Sequence, residues 1–191
     1  MSASGAPPGI ERRRFTTDEY HQLAEVGILG VDDRVELLAG EIWEAAAVGS
    51  PHAGCVNRLS TWFSARLAGR AIVAVQNPVR LDEHSEPEPD LALLRPRRDF
   101  YAGGHPTPAD VLLLIEVCDA SWSFDRRVKL PLYARAEVPE VWLLHLDGRA
   151  LHIFRRPDGG AFREIRAVGG AERASPEAFP DLVLAASDPF T

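Results

Sequence analysis

Glu116 interrupts the most apolar run of the chain. In "DVLLLIEVCDASWSFDRRVK", residues 110–129, five aliphatic side chains precede it where an uninterrupted core strand would want another. A carboxylate at the exit of a buried strand loses hydration, so it needs a cation, a metal ion or a proton. Asp90 is its natural companion, because "EPEPDLALL" places it after a proline and at the start of a second apolar run. Two acids at the ends of core strands suit a hard cation such as Mg²⁺, which takes oxygen ligands from one or two carboxylates together with waters and substrate phosphate. Lys129 stands 129 − 116 = 13 residues after Glu116, on a helix that can fold back over both acids. An ammonium there can orient a water or offset charge that develops on a phosphate. The blander reading also stands on these residues alone: strand-end aspartates cap turns, and Asp125 with Lys129 has the spacing of an ordinary i,i+4 helix pair.

The elements that must position these groups are legible as hydrophobic patterns. "FTTDEYHQLAEVG" predicts a first helix with Thr16 as cap, Glu19 as its reciprocal partner, Phe15 stapled against Tyr20 and Gly27 at the end. "RVELLAGEIWEA" predicts a hairpin turning at Ala39 and Gly40. A second helix is expected from Ser50 as cap and Pro51 as first helical residue, with Val56, Leu59, Phe63 and Leu67 in one stripe up to Gly69. Strands follow at 71–76, 90–94 and 111–117, the last buried on both faces and therefore central. Alternation places Glu116 on the same side as Leu112, Leu114 and Cys118. A helix over 123–136 meets a conflict at Pro131, which forfeits a backbone hydrogen bond at a cost of about 3 kcal/mol, so the helix either kinks or starts later. Three strands, near "EVWLLHL", "ALHIFRR" and "AFREIRA", precede a tail with one short strand at "LVLA".

Composition narrows the class. A chain of 191 residues with 46% hydrophobic content closes one core, giving one domain over 14–191 behind a flexible tail over 1–13. Cys55 and Cys118 form no CxxC pair and adjoin no histidine cluster, which argues against a disulfide framework or a zinc site and for a reducing, cytoplasmic setting. The N-terminus has no signal-like apolar segment, and runs such as "VLLLI" are too short to cross a bilayer, so no membrane partner is expected. Twenty-one basic and 28 acidic residues leave a net charge of −7, which opposes a general phosphate-binding surface. Basic clusters at Arg12–Arg14, at Arg95, Arg97 and Arg98, and at Arg126, Arg127 and Lys129 read first as solvated surface. Trp43, Trp62, Trp122 and Trp142 read as core or rim aromatics and not as a base-stacking platform.

Beyond these patterns, "TTDEYHQLAE", "DDRVELLAGEI", "SPHAGCVNRL", "VQNPVRL", "EPEPDLALLRPR", "DVLLLIEVCDASWSFDRRVKLPLYARAEVPEVWLL" and "FPDL" occur in that order from about Arg14 to Leu184. With them the chain resembles the Uma-type (Uma two) family of restriction-endonuclease-like proteins, within the PD-(D/E)XK nuclease superfamily. The resemblance implies an α/β fold: a restriction-endonuclease-like core with a four-stranded mixed sheet flanked by helices, carrying an additional N-terminal helix and hairpin. It implies Asp90 and Glu116 as metal ligands, Glu36 as a further acid near the site, Mg²⁺ as cofactor with Mn²⁺ able to substitute, and DNA as substrate. The superfamily's lysine stands two residues after the second acid, a position held here by Cys118; the resemblance moves that role to Lys129 on the following helix. Cys118 itself reads as a buried apolar filler. Gln76 and His52 are accessory candidates, Gln76 ending a strand and His52 near a helix N-terminus where a phosphate can sit. Tyr133 reads as packing between helix and sheet. The expected function is metal-dependent endonucleolytic hydrolysis of DNA phosphodiesters, with a homodimer as a partner arrangement. The alternatives are an inactive binding module on the same fold and a hydrolase of small phosphate esters.

Overall fold

The computed structural model describes residues 11–30, 32–45 and 47–191. Residues 1–10 of the expected N-terminal tail lie outside the described residues; within the remainder, Arg12 pairs with Glu41 at 3.0 Å and Arg13 pairs with Glu19.

Helix α1, Thr17–Glu25, starts as its sequence requires. The Thr16 hydroxyl accepts from the Glu19 N–H, and the Glu19 carboxylate accepts from the Thr16 N–H, so two otherwise orphaned donors are satisfied together. Strands β1, Val35–Leu38, and β2, Glu41–Glu44, form an antiparallel hairpin. Its turn uses left-handed backbone at Ala39 and Gly40, with φ of 52° and 80°. A side chain at residue 40 would also meet the Arg14 Cβ at 2.4 Å, so only glycine lets the N-terminal segment cross the turn.

Helix α2, Ser50–Leu67, begins one residue earlier than its sequence suggests, with Gly49 as cap and Pro51 in the first turn. The Gly49 carbonyl accepts the first helical bond, from Ala53 N–H at 3.1 Å, while Ser50 makes no side-chain cap. Strands β3, Ile72–Val75; β4, Leu91–Leu94; β5, Val111–Cys118; β6, Glu140–His145; β7, Ala150–Asp158; and β8, Ala161–Gly169 form one six-stranded sheet in that order. Only β5 and β6 run parallel; the other neighbours are antiparallel. The sheet is thus mixed, and the β7–β8 hairpin extends a four-stranded core. Two short strands, β9 at Arg173–Ala174 and β10 at Leu184–Ala185, pair separately near the C-terminus.

Both faces of the sheet are covered, which explains why β5 shows almost no polar alternation. On one face, Val56, Leu59, Phe63 and Leu67 of α2 pack with Leu113, Ile115 and Val117. On the other, Leu114 and Cys118 pack with Leu132, Tyr133 and Ala134 of the helix that follows β5. Glu116 falls on this second face by alternation, together with Leu114 and Cys118. Leu112 does not share it: the register shifts between Leu93 and Leu94, so Leu93 pairs with Leu113 and Leu94 with Val111, and Leu112 turns to the α2 side.

The helical run after β5 resolves the conflict at Pro131 without a break. It comprises α3, Trp122–Phe124, a wider π-wound turn, Asp125–Lys129, and α4, Leu130–Arg135. Leu130 N–H bonds the Asp125 carbonyl five residues back. This shift of frame puts Pro131 in the first turn of a new α segment, where its missing N–H costs little. No helix of the described residues is long and apolar enough to cross a membrane.

Candidate active site

Asp90 stands immediately before β4 and is held from three directions. Its Oδ2 accepts from the Val117 N–H of β5 at 2.8 Å and lies 3.0 Å from His52 Nε2 in the first turn of α2; its Oδ1 accepts from Gln76 Nε2 at 3.1 Å. Gln76 has left-handed backbone with φ of 50°, and its N–H bonds the Asp90 carbonyl at 3.1 Å. That uncommon conformation turns the end of β3 back toward Asp90.

Glu116 is 3% exposed. Its Oε1 accepts from Lys129 Nζ at 3.2 Å and from the Tyr133 hydroxyl at 2.5 Å, and its Oε2 lies 3.4 Å from the Asp90 N–H. Lys129, 6% exposed, also donates to Glu36 Oε1 of β1 at 2.9 Å. The π-wound turn carries both Asp125 and Lys129 inward, and both are buried. The structure therefore brings Glu36, His52, Gln76, Asp90, Glu116 and Lys129 together around one cavity of about 540 Å³.

Acid outweighs base in this cavity. Glu36, Glu44, Glu88, Asp90, Glu116, Asp119 and Asp125 face Lys129 and Arg34. Burial pushes the Glu116 carboxyl up to about 8 against the pull of Lys129, with Asp125, Asp90 and Glu36 adding to the rise. Burial likewise raises Glu36, again opposed by Lys129. For Lys129 burial disfavours the charge, yet Glu116, Glu36 and Asp125 outweigh it and hold the ammonium protonated above the usual lysine range. The hydrogen bond to Asp90 raises His52 despite partial burial. Burial drives the Cys118 thiol well upward, as befits a packing residue with no thiolate chemistry.

Three contributors escape inspection of the sequence. Tyr133 packs against the sheet and also donates to Glu116; burial raises its pKa far enough to keep it a donor. Its position four residues after Lys129 is the one local hint. Asp125 reaches the cavity because the π-wound turn redirects it, in place of an ordinary surface pair with Lys129. Glu88, two residues before Asp90, lines the same cavity and is raised by burial and by Glu36. Of the tryptophans, Trp142 is fully buried, while Trp43 is 38% exposed and packs at 5.0 Å against Phe124 in the cavity wall.

The Uma2 family profile, described as "Putative restriction endonuclease", matches residues 17–187. Among solved structures, the chain is similar to a "putative nuclease belonging to DUF820" from Anabaena variabilis ATCC 29413, with a TM-score of 0.73 at 15% identity over 92% of this chain and 97% of that one. At that identity the likeness is one of fold, and the fold is restriction-endonuclease-like. No curated protein matches the chain.

Proposed function

Because the chain belongs to the Uma2 family, described as "Putative restriction endonuclease", we propose that it is a divalent-cation-dependent endonuclease hydrolysing DNA phosphodiester bonds at the Asp90–Glu116 cavity. The observation that carries this reading is a buried charge imbalance. Glu36, Asp90, Glu116 and Asp125 crowd a single buried ammonium, and carboxyls held this close out of water need protons or a further cation to stay there.

The donors fit a hard ion. Asp90 and Glu116 offer carboxylate oxygens from adjacent strands, and both line the open cavity. These two residues would hold Mg²⁺, with Mn²⁺ able to replace it; when bound, the ion would supply a more acidic water and charge neutralisation at the phosphate. Gln76, His52 and the Val117 N–H hold the Asp90 carboxylate in one orientation. Tyr133 does the same for Glu116. Lys129 presents a fixed ammonium to a non-bridging phosphate oxygen, and Glu36 anchors that ammonium from the hairpin side. The lysine's backbone origin matters little, because the reaction needs the charge at that point in space. A homodimer on the substrate would bring one such cavity to each strand of a duplex.

The test is plasmid cleavage by purified protein with Mg²⁺ or Mn²⁺, beside Asp90→Ala, Glu116→Ala and Lys129→Ala. Metal-dependent nicking or linearisation is expected from the wild type and background from all three variants. Cleavage that survives the three substitutions removes the site from the reaction; metal binding without cleavage replaces the enzyme reading with a binding module.

A further inference from the structure

A second group of potential ligands lies away from the acidic cavity. His21 on α1, Glu86 in the segment before β4 and His105 in the connection between β4 and β5 each offer one donor atom, and these atoms all lie within 4.8 Å of one another. None of the three lines the acidic cavity. His21 Nε2 is 2.6 Å from Glu86 Oε1, and the His21 and His105 rings stand edge to face at 5.9 Å.

A histidine–carboxylate hydrogen bond alone would leave Glu86 half explained. Glu86 is 2% exposed, and its Oε2 is buried with no hydrogen-bond partner. A desolvated carboxylate oxygen without a donor costs free energy, and in native structures such a group is generally satisfied by something. Two imidazoles and one carboxylate are the ligand types of a borderline divalent ion, in contrast to the all-carboxylate pair of the cleavage site. Donors bound tetrahedrally to one Zn²⁺ at about 2.0–2.2 Å lie roughly 3.3–3.6 Å apart. His21 and Glu86 are already that close, and a movement of roughly 1–1.5 Å by His105, exposed on its connection, brings the third donor into range.

The geometry points to a second metal site, specific for a Zn²⁺-like transition ion and formed by His21, Glu86 and His105. Its role is architectural. The Glu86 N–H bonds the Leu37 carbonyl at 2.7 Å, one residue from Glu36, and Arg80 N–H next to this segment bonds the Pro106 carbonyl at 2.9 Å. An ion there ties α1 and the His105 connection to the hairpin that delivers Glu36 and, through it, Lys129. It occupies a position independent of Asp90 and Glu116, so the two sites separate by ligand substitution.

The experiment titrates metal-free protein with Co²⁺, following the visible absorption of the bound ion, and then displaces it with Zn²⁺. The wild type should bind Co²⁺ with intense low-coordinate absorption, lose the signal to Zn²⁺, and gain thermal stability with either ion. His105→Ala, at an exposed position where folding is not at stake, should weaken binding by more than the roughly 10–100-fold typical of losing an outer partner. His21→Ala should do the same, while Asp90→Asn should keep the full signal. Absorption and affinity unchanged in His105→Ala, a signal lost in Asp90→Asn, or no Co²⁺ binding by the wild type would each overturn the assignment.

Discussion

Replacing Lys129 by methionine removes the only lysine lining the acidic cavity while keeping the length and much of the volume of the side chain. Lys129 Nζ lies 2.9 Å from Glu36 and 3.2 Å from Glu116, and all three side chains are at most 12% exposed. Deleting one partner of such a buried pair costs about 3–5 kcal/mol, because the remaining charges lose their compensation. For a chain of this size that corresponds to a melting midpoint lower by roughly 6–20 °C. The loss carries a pH signature whose sign follows from linkage. Glu116 is already raised from 4.5 to about 8 in the folded protein, so the protonated carboxyl favours the fold below about 4.5 and that stability is lost as pH rises through about 8. Without the ammonium, Glu116 and Glu36 rise further, so Lys129→Met should be nearly as stable as wild type at about pH 5, with a deficit that opens as pH rises through about 8 and is plain at about pH 9. Thermal melts of both proteins at the two pH values measure this directly. An equal deficit at both values, or no deficit at the higher one, would refute the claim that the ammonium neutralises these carboxylates.

Tyr133→Phe deletes the hydroxyl that donates to Glu116 at 2.5 Å, and denaturant unfolding should show a loss of about 1–3 kcal/mol. Losing a donor to the charged form also moves the pH dependence of metal binding in the alkaline direction. For the wild type, Mn²⁺ affinity and cleavage should both climb as pH rises toward about 8, since the ligand is the ionised Glu116 and the ion must displace its proton; isothermal titration across that range is the check. Glu140 supplies a contrast, being fully buried and accepting from Trp142 Nε1 at 2.7 Å, Arg155 Nε at 2.8 Å and the Glu177 N–H at 2.6 Å. Glu140→Ala should cost about 3–5 kcal/mol in unfolding experiments yet leave Mn²⁺ affinity of the folded protein unchanged.

What could be read from the chain divides by the range of the interaction. Thr16 with Glu19, and Ala39 with Gly40, are local devices whose partners lie within four residues, and the helix and hairpin they specify form where their residue types require. The convergence of Asp90 and Glu116 was also accessible, because each ionisable group interrupts or opens an apolar strand and must be compensated. The π-wound turn before Pro131 was not accessible, since a shift from i→i+4 to i→i+5 bonding leaves no mark in hydrophobic periodicity. The bulge that turns Leu112 away from Glu116 depends on the register of β4 against β5, which is set by pairing across the sheet. Tyr133 illustrates the same limit for the site: helical spacing puts it near Lys129, but only the depth of α4 over β5 lets its hydroxyl reach Glu116. His21, Glu86 and His105 come from three separate segments, so no spacing rule links them.

The proposed chemistry requires Asp90 and Glu116 to share one divalent ion. Its most direct test is the Mn²⁺-dependent shift of the melting midpoint in a His105→Ala background, which silences the second site, with and without Asp90→Asn. A midpoint that rises with Mn²⁺ in the single variant and stays fixed in the double variant is the predicted result. A midpoint indifferent to Mn²⁺ in the single variant, or one that rises equally when Asp90 has lost its charge, would contradict it.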